Sequence, residues 1–466
     1  MQTSNVGFGT SGARGLVSDM TDTLCYAYSL AFLQAVVSQP GLIVLGHDLR
    51  PSSPRMAAAC AAAMQDSGYT VIYAGALPTP ALAYYAATID APCLVVTGSH
   101  IPFDRNGLKF YRADGEISKV DEALMRAAVV NVPTEIRPFM LGEPDGRARD
   151  AYVQRYLNFF GRQVLSGQRI AVYEHSSVAR DVLREIIQSL GAEVLSLGRT
   201  ETFVPIDTEA VRAEDVAQAK LWANEHQFDA ILSTDGDGDR PLIGDETGSW
   251  LRGDIVGVLC AQYLAADVVV TPVSSNTAVE LCGSFKKVIR TRIGSPYVIA
   301  GMEAASNQTG TVVVGYEANG GFLLGSDVLR DGHTLTALPT RDAVLPMLAL
   351  LCMARSQGTV LSQLSQTLPA RYTASDRLAN FESVLSSALL TRFSDDLTQA
   401  AQLLAPDSGQ VVEVNTVDGL RLRFVNGDIV HLRPSGNAPE LRCYAEAGTA
   451  LQAQRLCDEA LSQLRA

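Results

Sequence analysis

The sequence predicts an α/β protein in which three related α/β domains with mixed, largely parallel sheets precede a C-terminal α+β domain. Three observations support this prediction. The chain has 466 residues, which is too long for a single hydrophobic core. A unit of apolar strand, polar turn, amphipathic helix and second strand recurs along it. From about residue 368 the pattern changes to short alternating strands.

The recurring unit occurs in three places. It begins with apolar runs at residues 42–45, 169–173 and 268–270, each followed by a turn rich in serine and a helical pattern. Its second strand follows at residues 192–195 in the second copy and at 287–289 in the third. Such alternation of strands and helices predicts sheets with loops gathered at the strand ends.

The C-terminal part has a different pattern. Residues 420–424 alternate in polarity, residues 425–428 (Val-Asn-Gly-Asp) are a hairpin signal, and residues 429–433 alternate again. This pattern predicts an antiparallel sheet accompanied by helices. We therefore expect four domains, at residues 1–149, 150–251, 252–367 and 368–466.

Composition excludes several classes of partner. The 37 Lys and Arg residues against 50 Asp and Glu residues give a net charge of −13, which argues against nucleic acid and anionic membranes. The eight cysteines follow no metal-binding spacing and are typical of buried thiols in a reducing compartment. Neither a signal-peptide pattern nor a run long enough to span a bilayer is present. We expect a cytoplasmic protein, monomeric or homodimeric, without nucleic-acid or membrane partners.

The first candidate site follows the apolar run at residues 93–96. Residues 97–100 read Thr-Gly-Ser-His, which places one hydroxyl on a turn beside an imidazole. Neighbouring backbone N–H groups of such a turn can hold a phosphate. Ser99 is therefore the candidate nucleophile. For this segment alone, an ordinary connecting turn is the alternative interpretation.

The second candidate site follows the apolar run at residues 230–232. Asp235, Asp237 and Asp239 alternate with glycines that let the backbone curl. Three carboxylates arranged in this way can converge on one hard cation of the Mg²⁺ type. A solvated acidic turn is the alternative.

Two further loops suit a phosphorylated sugar. Residues 315–322 offer an acceptor and an amide on a glycine-rich turn, which suits sugar hydroxyls. Residues 433–442 combine a guanidinium, a hydroxyl, an amide and bare backbone, which together suit a phosphate dianion. Because the net charge is negative, a local cluster of arginines must attract an anionic substrate. The candidates are Arg14, Arg240, Arg292 and Arg433.

These four segments, together with Phe-Gly-Thr-Ser-Gly-Ala-Arg-Gly at residues 8–15, resemble the α-D-phosphohexomutase superfamily over essentially the whole chain. The resemblance implies that Ser99 carries a phosphoryl group and that one Mg²⁺ is held by Ser99 and the three aspartates. It also implies reversible phosphoryl transfer between hexose 1-phosphate and hexose 6-phosphate through a hexose 1,6-bisphosphate. The C-terminal domain would be mobile and would close over a central cleft made by the first three.

The resemblance assigns roles to particular residues. Its candidate catalytic residues are Ser99, His100, Lys109 and Arg14, with Lys109 or His100 managing the proton. Its candidate substrate-binding residues are Arg240, Arg292, Glu317, Asn319, Arg433, Ser435, Gly436, Asn437 and Arg442. Asp48 and Arg50, by contrast, are typical of a structural ion pair near the edge of the first domain.

The chain departs from the superfamily pattern at Ile101, Asn319 and residues 437–438. None of these departures removes the phosphoserine, the metal carboxylates or the sugar-loop glutamate. The expected activity is therefore that of a phosphomannomutase with additional phosphoglucomutase activity. A phosphoglucosamine mutase, a metal-dependent sugar-phosphate phosphatase and a non-catalytic sugar-phosphate sensor are the alternatives.

Overall fold

The computed structural model describes residues 4–9, 12–306, 310–435 and 440–465. These residues form two compact units. The first unit lies within Met1–Val268 and Gly294–Ser365, and the second within Val269–Ile293 and Gln366–Ala466. The domain boundaries expected near residues 149, 251 and 367 stay predictions.

The first unit begins with a seven-stranded mixed sheet. Its strands are β1 (Gly7–Phe8), β2 (Ala13–Leu16), β3 (Leu42–His47), β4 (Thr70–Ala76), β5 (Cys93–Val96), β6 (Arg105–Arg112) and β7 (Gly115–Glu116). They lie in the order β1-β2-β6-β5-β3-β4, with β7 beside β6. Strand β3 is parallel to β4 and β5, whereas the other pairs are antiparallel. The sheet is mixed, as predicted, but only two of the six strand pairs among its described residues are parallel, so it is not the largely parallel sheet that was expected.

Helices cover this sheet and complete its core. They are α1 (Asp22–Phe32), which continues as a π-helical segment over Leu33–Val37, α2 (Ser53–Asp66), α3 (Thr79–Thr88) and α4 (Lys119–Ala127). The Thr21 hydroxyl caps α1 by accepting a hydrogen bond from the backbone N–H of Leu24. Alanines in α2 permit close packing, so that Ala57, Ala59 and Ala61 share one buried core with the sheet.

A second sheet follows in the same unit. The chain forms α5 (Arg147–Phe160), β8 (Arg169–Tyr173), α6 (Arg180–Ser189), β9 (Glu193–Leu197), α7 (Ala213–His226), β10 (Ala230–Thr234), β11 (Pro241–Gly244) and α8 (Gly253–Tyr263). The strand order is β11-β10-β8-β9, with β8 parallel to both β9 and β10 and β11 antiparallel to β10. The strand predicted at residues 169–173 is β8, which confirms the second copy of the recurring unit.

The third part of the chain contributes to both units. It forms β12 (Val268–Pro272), α9 (Ala278–Leu281), β13 (Lys287–Thr291), α10 (Ser295–Ala305), β14 (Val313–Tyr316), β15 (Phe322–Leu324), β16 (Val328–Arg330), β17 (His333–Leu335), β18 (Leu338–Asp342), α11 (Val344–Gln357), α12 (Leu361–Leu364) and a 3₁₀ turn at Ser365–Thr367. In the first unit, β15 pairs antiparallel with β14 and β18. The strands predicted at residues 268–270 and 287–289 are present in β12 and β13.

The C-terminal part is an α+β arrangement, as predicted. It forms β19 (Tyr372–Ala379), α13 (Ser383–Asp395), α14 (Leu397–Leu404), β20 (Val411–Asn415), β21 (Leu420–Phe424), β22 (Ile429–Pro434), β23 (Glu440–Ala447) and α15 (Ala450–Arg465). The strands form an antiparallel sheet in the order β19-β23-β22-β21-β20. The predicted hairpin joins β21 to β22, where the N–H of Gly427 donates to the carbonyl of Phe424 at 2.9 Å.

The structure bears on two features noted from composition, the cysteines and the absence of a predicted membrane span. All eight cysteines are free thiols, and seven of them are buried, which agrees with their expected role as small apolar side chains. No single helix among the described residues is long and apolar enough to cross a membrane, although the bent pair Val344–Gln357 and Leu361–Thr367 together meets the length and composition criteria.

Candidate active site

Three loops of the first unit begin where β5, β10 and β14 end. Ser99 follows β5, the three aspartates follow β10, and Glu317 follows β14. Loops at the carboxyl ends of strands are the usual position of ligand sites in α/β proteins. The folding of these strands therefore brings together residues that are far apart in the sequence.

Ser99 lies directly against the acidic cluster. Its side chain is fully buried, and its backbone φ of 52° is in the left-handed region. Its hydroxyl donates to Oδ2 of Asp235 at 2.7 Å and lies 3.3 Å from Nδ1 of His100. The structure thus brings the predicted nucleophile into contact with the predicted metal loop.

The loop that carries Ser99 is held by a buried ion pair between Asp48 and Arg50, whose side chains are 3.2 Å apart. The Asp48 carboxylate accepts hydrogen bonds from the Thr97 hydroxyl at 2.8 Å and from the Gly98 N–H at 3.2 Å. The Arg50 guanidinium donates at 2.6 to 2.9 Å to four backbone carbonyls, those of Ser99, Ile101, Pro102 and Arg105. The structure confirms the predicted structural ion pair and shows that it holds the loop that carries Ser99.

We expect Arg50→Lys to lower kcat by about 100-fold with the protein still folded, because an ammonium cannot span four carbonyls and a displaced nucleophile reacts slowly. Steady-state kinetics and a thermal unfolding curve test this expectation. Arg55→Lys is the matched control, since Arg55 pairs with Asp22 at a partly exposed position. An unchanged kcat in Arg50→Lys would show that the guanidinium does not position Ser99.

The three aspartates form a compact cluster of buried carboxylates. One oxygen from each lies within 4.8 Å of the others, and all three side chains are fully buried. Among the described residues, Oδ1 of Asp237 and Oδ1 of Asp239 accept no hydrogen bond. Buried carboxylate oxygens without partners are costly unless a cation binds them, and oxygen ligands are those that hard divalent cations prefer. The cluster therefore fits the predicted metal site.

The three carboxyl groups differ in their electrostatics. Burial raises the pKa of Asp235 well above its usual value, and the charges of Asp237 and Asp239 raise it further. Burial and Asp239 also act to raise the pKa of Asp237, but the Lys109 ammonium outweighs them and lowers it. Arg341 and Lys109 overcome burial in the same way and lower the pKa of Asp239. Asp237 and Asp239 are thus held in the charged form.

Lys109 and Arg341 supply the positive charge around this cluster. Nζ of Lys109 is 2.6 Å from Oδ2 of both Asp237 and Asp239. Arg341, at the end of β18, donates to Oδ2 of Asp239 at 2.8 Å and to Oε2 of Glu317 at 3.2 Å. The sequence predicted Lys109 at the site but missed Arg341. An arginine within the otherwise buried strand β18 was the one signal available.

Three more predicted residues, Arg14, His100 and Arg240, act on one another electrostatically, and His100 contacts Ser99. Burial, followed by the charge of Arg240, lowers the pKa of Arg14 to about 10. Arg240 lowers the pKa of His100 most strongly, and burial and Arg14 lower it further. His100 is therefore neutral at physiological pH. Nε of Arg240 is buried and has no hydrogen-bond partner among the described residues.

The predicted sugar loop is buried and internally ordered. The Gly321 N–H donates to the side-chain oxygen of Asn319 at 2.9 Å, and the backbone carbonyl of Asn319 accepts from the Thr208 hydroxyl at 2.6 Å. Glu317 is joined through Arg341 to Asp239 of the acidic cluster. Asn319 therefore helps to shape the turn, and Glu317 lies beside the acidic cluster.

The remaining predicted residues lie in the second unit. Nε of Arg433 donates to Oδ2 of Asp418 at 2.9 Å, and Nε of Arg292 donates to the carbonyl of Val417 at 3.0 Å. The structure thus brings Arg292 and Arg433 to the same turn. The N–H of Ser435 donates to the Glu440 carbonyl at 2.8 Å.

Two of the other predicted phosphate-loop residues, Gly436 and Asn437, lie outside the described residues. Arg442 lies 3.7 Å from Glu440.

The chain matches family models for all four parts of one enzyme family. These are the phosphoglucomutase/phosphomannomutase alpha/beta/alpha domain I at residues 5–130, domain II at 150–248 and domain III at 252–372, and the C-terminal domain at 380–463.

Curated relatives are similar in sequence to this chain over nearly its full length. A phosphomannomutase of Salmonella muenchen is 46% identical over 99% of this chain and 96% of its own. A phosphoglucosamine mutase of Carboxydothermus hydrogenoformans is 28% identical over 98% of both chains. The crystal structure of a phosphoglucomutase/phosphomannomutase family protein from Burkholderia thailandensis superimposes with a TM-score of 0.77 at 19% identity, covering 98% of this chain and 96% of the other, and shows the same fold.

Proposed function

The chain belongs to the phosphoglucomutase/phosphomannomutase family and is a phosphohexomutase, and we propose that it interconverts the 6- and 1-phosphates of mannose and glucose through a phosphoserine at residue 99. One observation carries this proposal. The buried hydroxyl of Ser99 lies 2.7 Å from a carboxylate of the acidic cluster, so that a phosphoryl group on Ser99 would lie beside a cation site.

In the proposed reaction, phospho-Ser99 transfers its phosphoryl group to the free hydroxyl of a hexose monophosphate. The P–O bond to Ser99 breaks, a P–O bond to the sugar forms, and the sugar hydroxyl gives up its proton. The hexose 1,6-bisphosphate then turns around and returns its other phosphoryl group to Ser99. The two half-reactions together leave the enzyme phosphorylated and the sugar isomerised.

Lys109 is the proposed acceptor of that proton, in its neutral amine form. A cation bound by the three aspartates would favour that form over the ammonium that pairs with Asp237 and Asp239. A general base works best when its pKa lies near the operating pH. The lowered pKa of His100 makes its imidazole a weak base, which leaves it suited to orienting the loop. Lys109 lies in the carboxylate cluster that Ser99 also contacts.

Asp235, Asp237 and Asp239, together with the phosphoserine oxygen, would hold the metal. Mg²⁺ bound there would neutralise charge on the transferring phosphoryl group. Arg14 and Arg240 add positive charge near His100, whose imidazole contacts Ser99. Such preorganised charge attracts an anionic sugar phosphate despite the protein's net charge of −13.

Arg433 and Ser435 are the proposed grip on the phosphate that does not react. Arg433→Ala should raise KM for the hexose phosphate by about 10- to 100-fold, because a charge-assisted hydrogen bond is worth about 1.5–3 kcal/mol. Steady-state kinetics of the variant measure this effect. Arg455→Ala is the control, since Arg455 pairs with Glu459 on the exposed face of α15. An equal KM in wild type and Arg433→Ala would show that the loop at residues 433–442 has a structural role and does not bind the substrate phosphate.

The proposed preference among sugars follows from the sugar loop. By resemblance, Glu317 and Asn319 contact the hydroxyls at C3 and C4. Mannose and glucose differ in configuration only at C2. A site that contacts the hydroxyls at C3 and C4 therefore discriminates weakly between the two sugars. The Salmonella muenchen phosphomannomutase is 46% identical to this chain, whereas the Carboxydothermus hydrogenoformans phosphoglucosamine mutase is 28% identical. This difference supports mannose and glucose phosphates over glucosamine phosphate as substrates.

A coupled assay tests the function directly. The 1-phosphates of mannose, glucose and glucosamine are compared by kcat/KM, each with a trace of the corresponding 1,6-bisphosphate as activator. We expect turnover of the mannose and glucose compounds at comparable rates and poor turnover of the third. A preference for glucosamine 1-phosphate would identify a phosphoglucosamine mutase instead, and release of inorganic phosphate would identify a phosphatase.

We also propose a cellular compartment, an oligomeric state and a class of partner for the enzyme. Eight free thiols support a reducing compartment, and we infer the cytoplasm. A monomer or homodimer that acts on a small sugar phosphate, without a nucleic-acid or membrane partner, agrees with the acidic composition.

A further inference from the structure

Arg421 of the second unit is a buried cation without a partner among the residues that the structure describes. It lies on β21, between Asn415 of β20 and His431 of β22. Its residue is 9% exposed, and within the described part of the chain its guanidinium makes neither a hydrogen bond nor an ion pair. A buried charge of this kind is costly unless something pairs with it.

Arg421 lines a cavity of about 420 Å³ whose lining lies wholly within the second unit. Val273 and Ile429, both almost fully buried, form part of its wall. None of the candidate active-site residues lines this cavity. The space is large enough for a small organic molecule.

The other three arginines that line the cavity are already neutralised. Arg290 pairs with Glu280 at 2.7 Å, and Arg423 pairs with Glu413 at 2.8 Å. Arg371 pairs with Glu446 at 2.6 Å. Because these three carboxylates each serve another arginine, the charge of Arg421 is in excess.

The electrostatic effects on Arg421 agree with this picture. Burial lowers the pKa of Arg421, and the charge of Arg290 lowers it further, whereas the smaller effects of Glu446, Glu280 and Glu413 act to raise it. The protein environment thus disfavours the guanidinium charge, and an added anion would relieve this.

We propose that this cavity binds a small organic monocarboxylate. Its carboxylate would pair with Arg421 through two parallel N–H···O hydrogen bonds, the geometry that a guanidinium fork favours. Its apolar part would pack against Val273 and Ile429. One negative charge matches the single excess positive charge of the cavity. The site is separate from the proposed phosphoryl-transfer site and does not depend on it.

Calorimetric titration of the full-length protein with butyrate tests the proposal. We expect a dissociation constant of about 1–10 mM for wild type and at least about tenfold weaker binding by Arg421→Gln. Arg455→Gln should bind butyrate as wild type does, because Arg455 pairs with Glu459 on the exposed face of α15 and does not line the cavity. Butyramide, which has the same shape without the charge, should not bind. The proposal fails if wild type binds no butyrate at about 100 mM, if Arg421→Gln binds it equally, or if inorganic phosphate binds through Arg421 and butyrate does not.

Thermal unfolding gives a second, independent test. Removing an unpaired buried charge should stabilise the protein, so Arg421→Met should raise Tm in the absence of butyrate. Butyrate should raise the Tm of wild type and leave that of Arg421→Met unchanged. A lower Tm for Arg421→Met without ligand would show that the guanidinium makes stabilising contacts within the protein, and this result would overturn the proposal.

Discussion

Ser99→Ala should lower mutase turnover by at least about 10⁴-fold, because it removes the one oxygen that can carry the phosphoryl group between half-reactions. The fold should persist, since the loop is held by the Asp48–Arg50 pair and not by the serine hydroxyl. A coupled assay measures kcat, and intact-mass analysis should show a species one phosphate heavier in wild type that is absent from the variant.

Ser356→Ala provides the matched control. Ser356 lies on the exposed side of α11, and its hydroxyl donates to the carbonyl of Met353, its one partner in the described part of the chain. It should retain full activity and the phosphorylated species. A fully active Ser99→Ala variant, or a phosphate adduct that persists in it, would require a different phosphoryl carrier.

Asp237→Asn should lower kcat by about 10²- to 10⁴-fold and raise the Mg²⁺ concentration needed for half-maximal activity. The substitution preserves size but removes one of the two carboxylate charges beside Lys109. It also alters Oδ1 of Asp237, an oxygen that accepts no hydrogen bond from the residues that the structure describes. Activity titrated against Mg²⁺ measures both effects. Wild type should lose activity in excess chelator and regain it when Mg²⁺ is restored.

Asp331→Asn serves as the control for charge, because the Asp331 side chain is almost fully exposed. It should follow the wild-type Mg²⁺ titration. Undiminished wild-type activity in excess chelator, or a wild-type titration curve for Asp237→Asn, would show that the three aspartates do not hold a catalytic cation.

Most of the secondary structure could be predicted because its signals are local. The apolar runs at residues 42–45 and 169–173 became β3 and β8, and the Val-Asn-Gly-Asp hairpin at residues 425–428 joins β21 to β22. Strand direction was harder to predict. The antiparallel pairing of β6 with both β2 and β5 depends on contacts between distant segments, which periodicity along one strand does not record.

The contrast between local signals and long-range contacts also explains which active-site residues could be predicted. Ser99 and the three aspartates each lie in one contiguous loop, so their residue types and spacing were sufficient to predict them. Arg341 contributes to the site because β18 brings it to Asp239, 102 positions away in the sequence. The structural role of Arg50 likewise depends on carbonyls about 50 residues further along the chain. Such long-range partners leave no local pattern.

The left-handed backbone of Ser99 restricts which amino acids this position can accept over evolutionary time. Threonine also offers a hydroxyl for phosphorylation, but its branched Cβ is strongly disfavoured at a φ of 52°. Glycine and asparagine adopt this conformation readily yet have no hydroxyl to phosphorylate. Tyrosine is excluded by size, because the residue is fully enclosed. Among the amino acids with a hydroxyl group, serine alone combines a phosphorylatable oxygen with a tolerated backbone at this position. We therefore expect threonine, its nearest chemical relative, not to replace it during evolution.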